Sequence, residues 1–109
     1  ARIEQLALHD FHAPVIGSRG GKGEPVRRLI EEYQPSVAVF IDDLAGHHQS
    51  VAEVAPDVWR LHLVGEPAIA DKIRPAKYAH ARIDDWTAAR EWILARLAEN
   101  IPAPAPEPV

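Results

Sequence analysis

Val37-Ala-Val-Phe-Ile-Asp-Asp43 is the most telling segment of the sequence. Its five leading residues are apolar, and two of them are β-branched valines with a phenylalanine and an isoleucine beside them. An unbroken apolar run of this kind reads as a strand covered on both faces, the signature of a parallel sheet flanked by helices. The run ends in adjacent carboxylates. In open α/β sheets the carboxyl ends of the strands are where ligands bind, and two acidic side chains there suit a hard cation such as Mg²⁺.

Working outward, helical and extended patterns alternate. Arg2 to His9 carries Ile3, Leu6 and Ala7 at helical spacing and is expected to be the end of an amphipathic helix. Ala13 to Ser18 is expected to be extended after Pro14, and Ser18-Arg-Gly-Gly-Lys-Gly23 to be a turn. Glu24 to Tyr33 reads as a helix with Pro25 in its first turn and Val26, Leu29, Ile30 and Tyr33 on one face. Beyond the two aspartates, His47 to Val54 reads as a helix with Val51, Val54 and Ala55 inward. Val58 to Val64 sets Trp59, Leu61 and Leu63 against Arg60 and His62, which predicts a strand with one less buried face.

Ala68 to Ile73 is expected to form a short helix and Ala79 to Ile83 an edge strand. Asp84 or Asp85 then caps a long helix through about Glu99, with Trp86, Ile93 and Leu97 packed. Residues 1–100 are read as one α/β core with helices on both faces of a parallel sheet. Residues 101–109, where proline alternates with alanine, glutamate and valine, are read as a disordered tail.

Composition sets bounds on function. The 109 residues carry a formal charge of −4, which gives no electrostatic case for nucleic acid or an anionic membrane. With no cysteine, disulfides, thiolate catalysis and cysteine-ligated zinc are excluded, and a cytoplasmic setting is expected. No apolar run approaches the ~20 residues that span a bilayer. Methionine is also absent, and the sequence starts at Ala1, which suits either initiator removal or a fragment of a longer protein.

The second chemically suggestive position is Lys22, in a glycine-rich turn at the start of a helix. Free backbone N–H groups and the helix dipole favour an anion there, and the lysine adds a compact positive charge for phosphate. The spacing is not that of a Walker A loop, because Glu24 follows Gly23 where Lys-Ser/Thr is required. Alone, such a turn is ordinarily just a turn.

In combination these segments resemble the C-terminal half of a haloacid dehalogenase (HAD)-like domain. Gly21-Lys-Gly-Glu-Pro-Val-Arg-Arg-Leu-Ile-Glu-Glu32, followed by Val-Phe-Ile-Asp-Asp-Leu-Ala-Gly-His-His-Gln-Ser-Val51, is similar to that family's third and fourth motifs in order. Ala55-Pro-Asp-Val-Trp-Arg-Leu-His-Leu-Val64 is similar to its next strand.

The resemblance implies a Rossmann-like three-layer fold and a Mg²⁺-dependent phosphohydrolase acting on a small phosphorylated substrate. Lys22 would steady the charge of the nucleophile and the transferring phosphoryl group. Asp42 would ligate Mg²⁺ directly, and Asp43 directly or through water. Asp43 also has a plainer role open to it, as a helix cap or loop carboxylate.

The sequence departs from the family in one serious respect. It holds no Asp-x-Asp following an apolar strand, so the nucleophile and the general acid/base of the first motif are missing. No Ser or Thr clearly ends a strand as the second motif would. The chain therefore reads as a HAD-like domain lacking its first strands. The alternative is a catalytically incomplete α/β module that binds a partner or a phosphate ligand without turnover.

Other readings carry less. A receiver domain also combines an acidic pair with a lysine, but here the pair follows the lysine and no separate phosphorylatable aspartate is visible. Adjacent His47 and His48 diverge on a helix and rarely share one ion, while His62 and His80 are isolated in sequence. The histidines are expected to be surface or capping residues, with His47 able to reach a ligand above Asp42. The tryptophans are expected in the core.

Overall fold

The computed structural model describes residues 2–8, 11–17 and 22–104, the first two segments for their backbone alone. The N-terminal pair is a hairpin in which β1 (Arg2–Leu8) runs antiparallel to β2 (Phe11–Gly17). The helix expected over Arg2 to His9 is therefore a strand. Its seven residues fall short of the ~12–15 at which an isolated helix holds itself. Pairing instead sets Ile3 opposite Ile16, Leu6 opposite Ala13 and Leu8 opposite Phe11. The extended reading of Ala13 onward is what β2 shows.

The rest is an α/β unit. In chain order it comprises α1 (Gly23–Tyr33), β3 (Val39–Asp42), α2 (Ala45–Val54), β4 (Trp59–His62), α3 (Pro67–Ala70), β5 (Ala81–Arg82) and α4 (Trp86–Glu99). The three strands make a parallel sheet in the order β3-β4-β5. Val39 lies level with Trp59, and Asp42, His62 and Arg82 form one row across the sheet near the carboxyl ends of the strands.

Strand alternation divides the apolar side chains between two cores. On one face Val39, Ile41, Leu61, Leu63, Ala81 and Ile83 pack with Ala89, Trp92, Ile93 and Leu97 of α4. On the other, Ala38, Phe40 and Val58 pack with Val51 and Ala55 at α2 and with Val26 and Ile30 of α1. Helices thus lie on both faces, as the apolar run in β3 demands.

Several side chains depart from expectation. Arg60 is only 4 % exposed and His62 is fully buried, so β4 has no solvent face. The Arg60 guanidinium resolves the cost of burial by donating to three backbone carbonyls. Nε reaches Tyr78 O at 2.6 Å, and Nη1 reaches Val58 O at 2.9 Å and Pro56 O at 3.1 Å.

Trp86 is 60 % exposed rather than packed, because it stands in the first turn of α4 before the helix settles on the sheet. Tyr33 and Val54, each in the last turn of its helix, are also exposed. Arg27 and Arg28 do form a solvated face, bridged to Glu24 and Glu31.

The start of the proline-rich tail is not loose. Trp59 Nε1 donates to Ile101 O at 2.8 Å, Ala103 N donates to Asp57 O at 2.9 Å, and Ala103 is buried. Residues 105–109 lie outside the described part of the chain.

Candidate functional site

The carboxyl end of β3 gathers the polar chemistry of the domain. Asp42 is the last residue of the strand, and Asp43 follows in a bend and is exposed. The Asp42 carboxylate is held in place: its Oδ1 accepts from the Leu44 N–H at 2.7 Å and lies 3.0 Å from His47 Nδ1. The first contact closes a side-chain turn that launches α2. The second brings one of the paired histidines onto the carboxylate, through a partly buried ion-pair geometry. Both bonds fall on Oδ1.

Beneath the pair lie two fully buried imidazoles. His48 Nε2 meets the Asp42 backbone carbonyl at 3.0 Å, and His62 Nε2 meets the Asp43 carbonyl at 2.9 Å. His62 Nδ1 accepts from the Ala76 N–H at 2.8 Å, so its proton resides on Nε2, which donates to Asp43 O. The same logic puts the His48 proton on Nε2, facing the Asp42 carbonyl.

The two rings stand edge to face with centroids 5.5 Å apart, and His48 also packs against Phe40. Burial pushes the His48 pKa below its ordinary value, and the neighbouring His62 adds to that. His47 and His48 thus diverge, as neighbours on a helix must, but both are directed at Asp42, one at the carboxylate and the other at the carbonyl.

Further along the same sheet edge, Asp84 accepts from Arg82 Nε at 2.5 Å and from the Val64 N–H at 3.2 Å. The hydrogen bond from Arg82 is the main reason its carboxyl titrates below the ordinary range. Arg82 also donates to Ile73 O at 2.7 Å and Ala70 O at 2.6 Å, which ties the α3 region to β5. Asp85 caps α4 by accepting from the Ala88 N–H at 3.0 Å, which settles which of the two aspartates has that role.

Lys22 stands at the N-cap of α1 in a helical backbone conformation, with φ −98° and ψ −13°. The neighbouring Gly23 N–H donates to Ser50 Oγ at 2.8 Å, so one of the free donors at this helix start is used by α2. Ser50 is three residues beyond His47 on α2, or ~4.5 Å of helix rise. The start of α1 therefore approaches the helix that carries His47 and His48. The glycines at 20 and 21 fall outside the described residues.

Asp42 and Asp43 are oxygen donors of the kind a hard divalent ion takes. Mg²⁺ is typically bound through one or two carboxylates, with waters and substrate oxygens completing its shell, and Asp42 and Asp43 offer two carboxylates at one strand end. Among the described residues, no group of three or more His, Asp or Glu side chains is placed to hold a metal. The histidines instead act on the backbone and carboxylate of the acidic pair.

Sequence spacing alone gave His62 no partner. It lies twenty positions from Asp42, and only the register of β4 against β3 joins them.

Comparison with known proteins adds no further constraint, since no family model, curated protein or solved structure matches this chain. No helix among the described residues is long and apolar enough to cross a membrane.

Proposed function

We propose that this chain forms part of a Rossmann-like, Mg²⁺-dependent phosphohydrolase core of the HAD type, acting on a small phosphorylated substrate. The observation that supports this reading best is the acidic pair at the carboxyl end of a parallel strand, with one carboxylate immobilised by Leu44 and His47.

Bound there, Mg²⁺ would supply neutralisation of phosphate charge. Asp42 binds directly, and Asp43 binds directly or through water. Lys22, at the start of α1, steadies the negative charge of the phosphoryl group. The cysteine-free composition suits a reducing cytoplasm, where the proposal sets the protein.

The sequence favours a second reading on one point. It contains no Asp-x-Asp, so an aspartyl-phosphate has no attachment point within these residues. Turnover would need a nucleophile from outside them. Without one, the same site binds a phosphate ligand or a partner and releases it unchanged.

Mn²⁺, used as a paramagnetic stand-in for Mg²⁺, should broaden the Leu44 and His47 amide resonances, and Asp42→Asn should abolish the effect. Inorganic phosphate should bind the metal-loaded protein, more weakly in Lys22→Ala. Hydrolysis of p-nitrophenyl phosphate by the same sample would select the phosphohydrolase. Binding without hydrolysis would select the non-catalytic module, and no broadening in the unmodified protein would overturn the Mg²⁺-dependent phosphohydrolase.

A further inference from the structure

We propose that His48 and His62 form a two-point backbone clamp that positions the Asp42–Asp43 pair, and that His62 links this pair to the segment at Ala76. The inference deepens the metal-site reading and, for its functional consequence, rests on it. Its geometry rests only on hydrogen bonds within the chain.

Consecutive carbonyls are held from two elements. The Asp42 carbonyl receives His48 Nε2–H from α2, as well as the sheet bond from the Leu63 N–H at 3.1 Å. The Asp43 carbonyl, one residue past the end of the ladder, receives His62 Nε2–H from β4. With Leu44 and His47 on the Asp42 carboxylate, both peptide carbonyls and one of the two side chains are fixed. That leaves the exposed Asp43 carboxylate as the adjustable ligand.

Simple packing does not account for these histidines. A leucine or phenylalanine would bring no buried polar atom of its own to either position, whereas a buried polar atom with no partner costs ~1–3 kcal/mol. His48 carries that cost, because its Nδ1 is buried with no hydrogen-bond partner among the described residues. What the imidazole provides in return is a rigid N–H aimed at the Asp42 carbonyl. His62 uses both nitrogens. Its Nδ1 takes the Ala76 N–H while its Nε2–H holds Asp43 O, so one ring spans from the 71–80 connection to the acidic pair. Displacement of Ala76 is therefore passed through the ring to the Asp43 peptide.

In the functional reading, His48 and His62 are positioning residues for metal binding and touch neither ion nor substrate. Groups that orient ligands from outside the coordination shell typically change metal affinity by ~10–100-fold when removed.

The test compares His48→Leu and His62→Leu with His48→Gln and His62→Gln, since glutamine can present an N–H at a similar reach. Two readouts are taken on each protein: amide hydrogen exchange at Leu44 without metal, and Mn²⁺ affinity by electron paramagnetic resonance. Thermal unfolding is followed in parallel to confirm folding.

The expected result is faster Leu44 exchange and ~10–100-fold weaker Mn²⁺ binding in the leucine variants. The glutamine variants should recover most of both. His62→Gln should still expose the Ala76 amide to exchange, because it lacks the Nδ1 acceptor.

Leucine variants that keep wild-type Leu44 protection overturn the clamp, and so do glutamine variants as impaired as leucine. If a leucine variant does not fold, its glutamine counterpart decides: wild-type exchange at Leu44 supports the clamp, and accelerated exchange overturns it. Should the unmodified protein bind no Mn²⁺, the metal reading fails by itself, and Leu44 exchange alone decides the clamp. If metal binds but its affinity ignores both histidines, the clamp's functional role fails while the metal reading stands.

Discussion

Arg60 and His80 show how a charge is kept inside this small domain. The guanidinium is fixed on three carbonyls, and the backbone N–H of the same residue donates to His80 Nδ1 at 2.9 Å. His80 Nε2 faces the Arg60 guanidinium, 3.4 Å from Nη2, and the ring packs edge to face on Trp59. Burial, reinforced by the Arg60 charge, pulls its pKa from 6.5 down to about 4. A proton added to Nδ1 would meet a donor instead of an acceptor.

Because the folded pKa is depressed, the unfolded chain binds the proton first. Stability is then complete above pH ~6.5 and falls as the pH drops towards 4. Denaturant unfolding at pH 7 and pH 4.5 should differ by on the order of 2 kcal/mol from this residue, allowing for solvent screening. His80→Asn, which keeps an acceptor for the Arg60 N–H but does not titrate, should flatten that part of the profile. An unchanged pH profile would remove His80 from the account. In sequence, Arg60 and His62 alternate with apolar neighbours just as residues on a wet strand face do, so the pattern could not reveal their burial.

The helices meet at a point only glycine tolerates. A Cβ on Gly23 would lie 2.5 Å from the Ser50 carbonyl oxygen and 2.7 Å from its Oγ. Alanine normally gains up to ~1 kcal/mol over glycine in a helix. Against the α2 backbone that gain is outweighed, since overpacking typically costs ~1–3 kcal/mol. Gly23→Ala should therefore lower the unfolding free energy, and a stabilised variant in chemical denaturation would show that α1 shifts freely on α2.

The starts of α1 and α4 were legible from local chemistry, in Pro25 and in the Asp84-Asp85 pair, and both helices end on left-handed backbone at Gln34 and Asn100. The β1–β2 hairpin was not legible. Its apolar spacing also fits a helix, and only the cross-strand register distinguishes the two.

Across the whole domain, one thin sheet separates two cores, and Leu61 sits fully buried in the middle strand against α4. Leu61→Ala should cost ~2–5 kcal/mol, a large share of the ~5–15 kcal/mol typical of a domain. If the two cores form one cooperative unit, fluorescence and far-ultraviolet circular dichroism should follow a single, equally shifted transition. Separate transitions would mean that the two faces unfold independently. The docking of Ile101 and Ala103 beside Trp59 and Asp57 extends this unit past α4 into the proline-rich segment.

The α/β class with a parallel sheet was legible in the chain, because an apolar run such as Val37–Ile41 favours cover on both faces. The sequence also located the acidic pair at a strand's carboxyl end, since that follows from chain order alone. What surrounds the pair comes from tertiary packing. His62 reaches Asp43 through strand register, His48 reaches Asp42 through the angle of α2, and Ala76 reaches His62 through the return of a loop. Those bonds join residues whose separation along the chain carries no periodicity, so no local pattern encodes them.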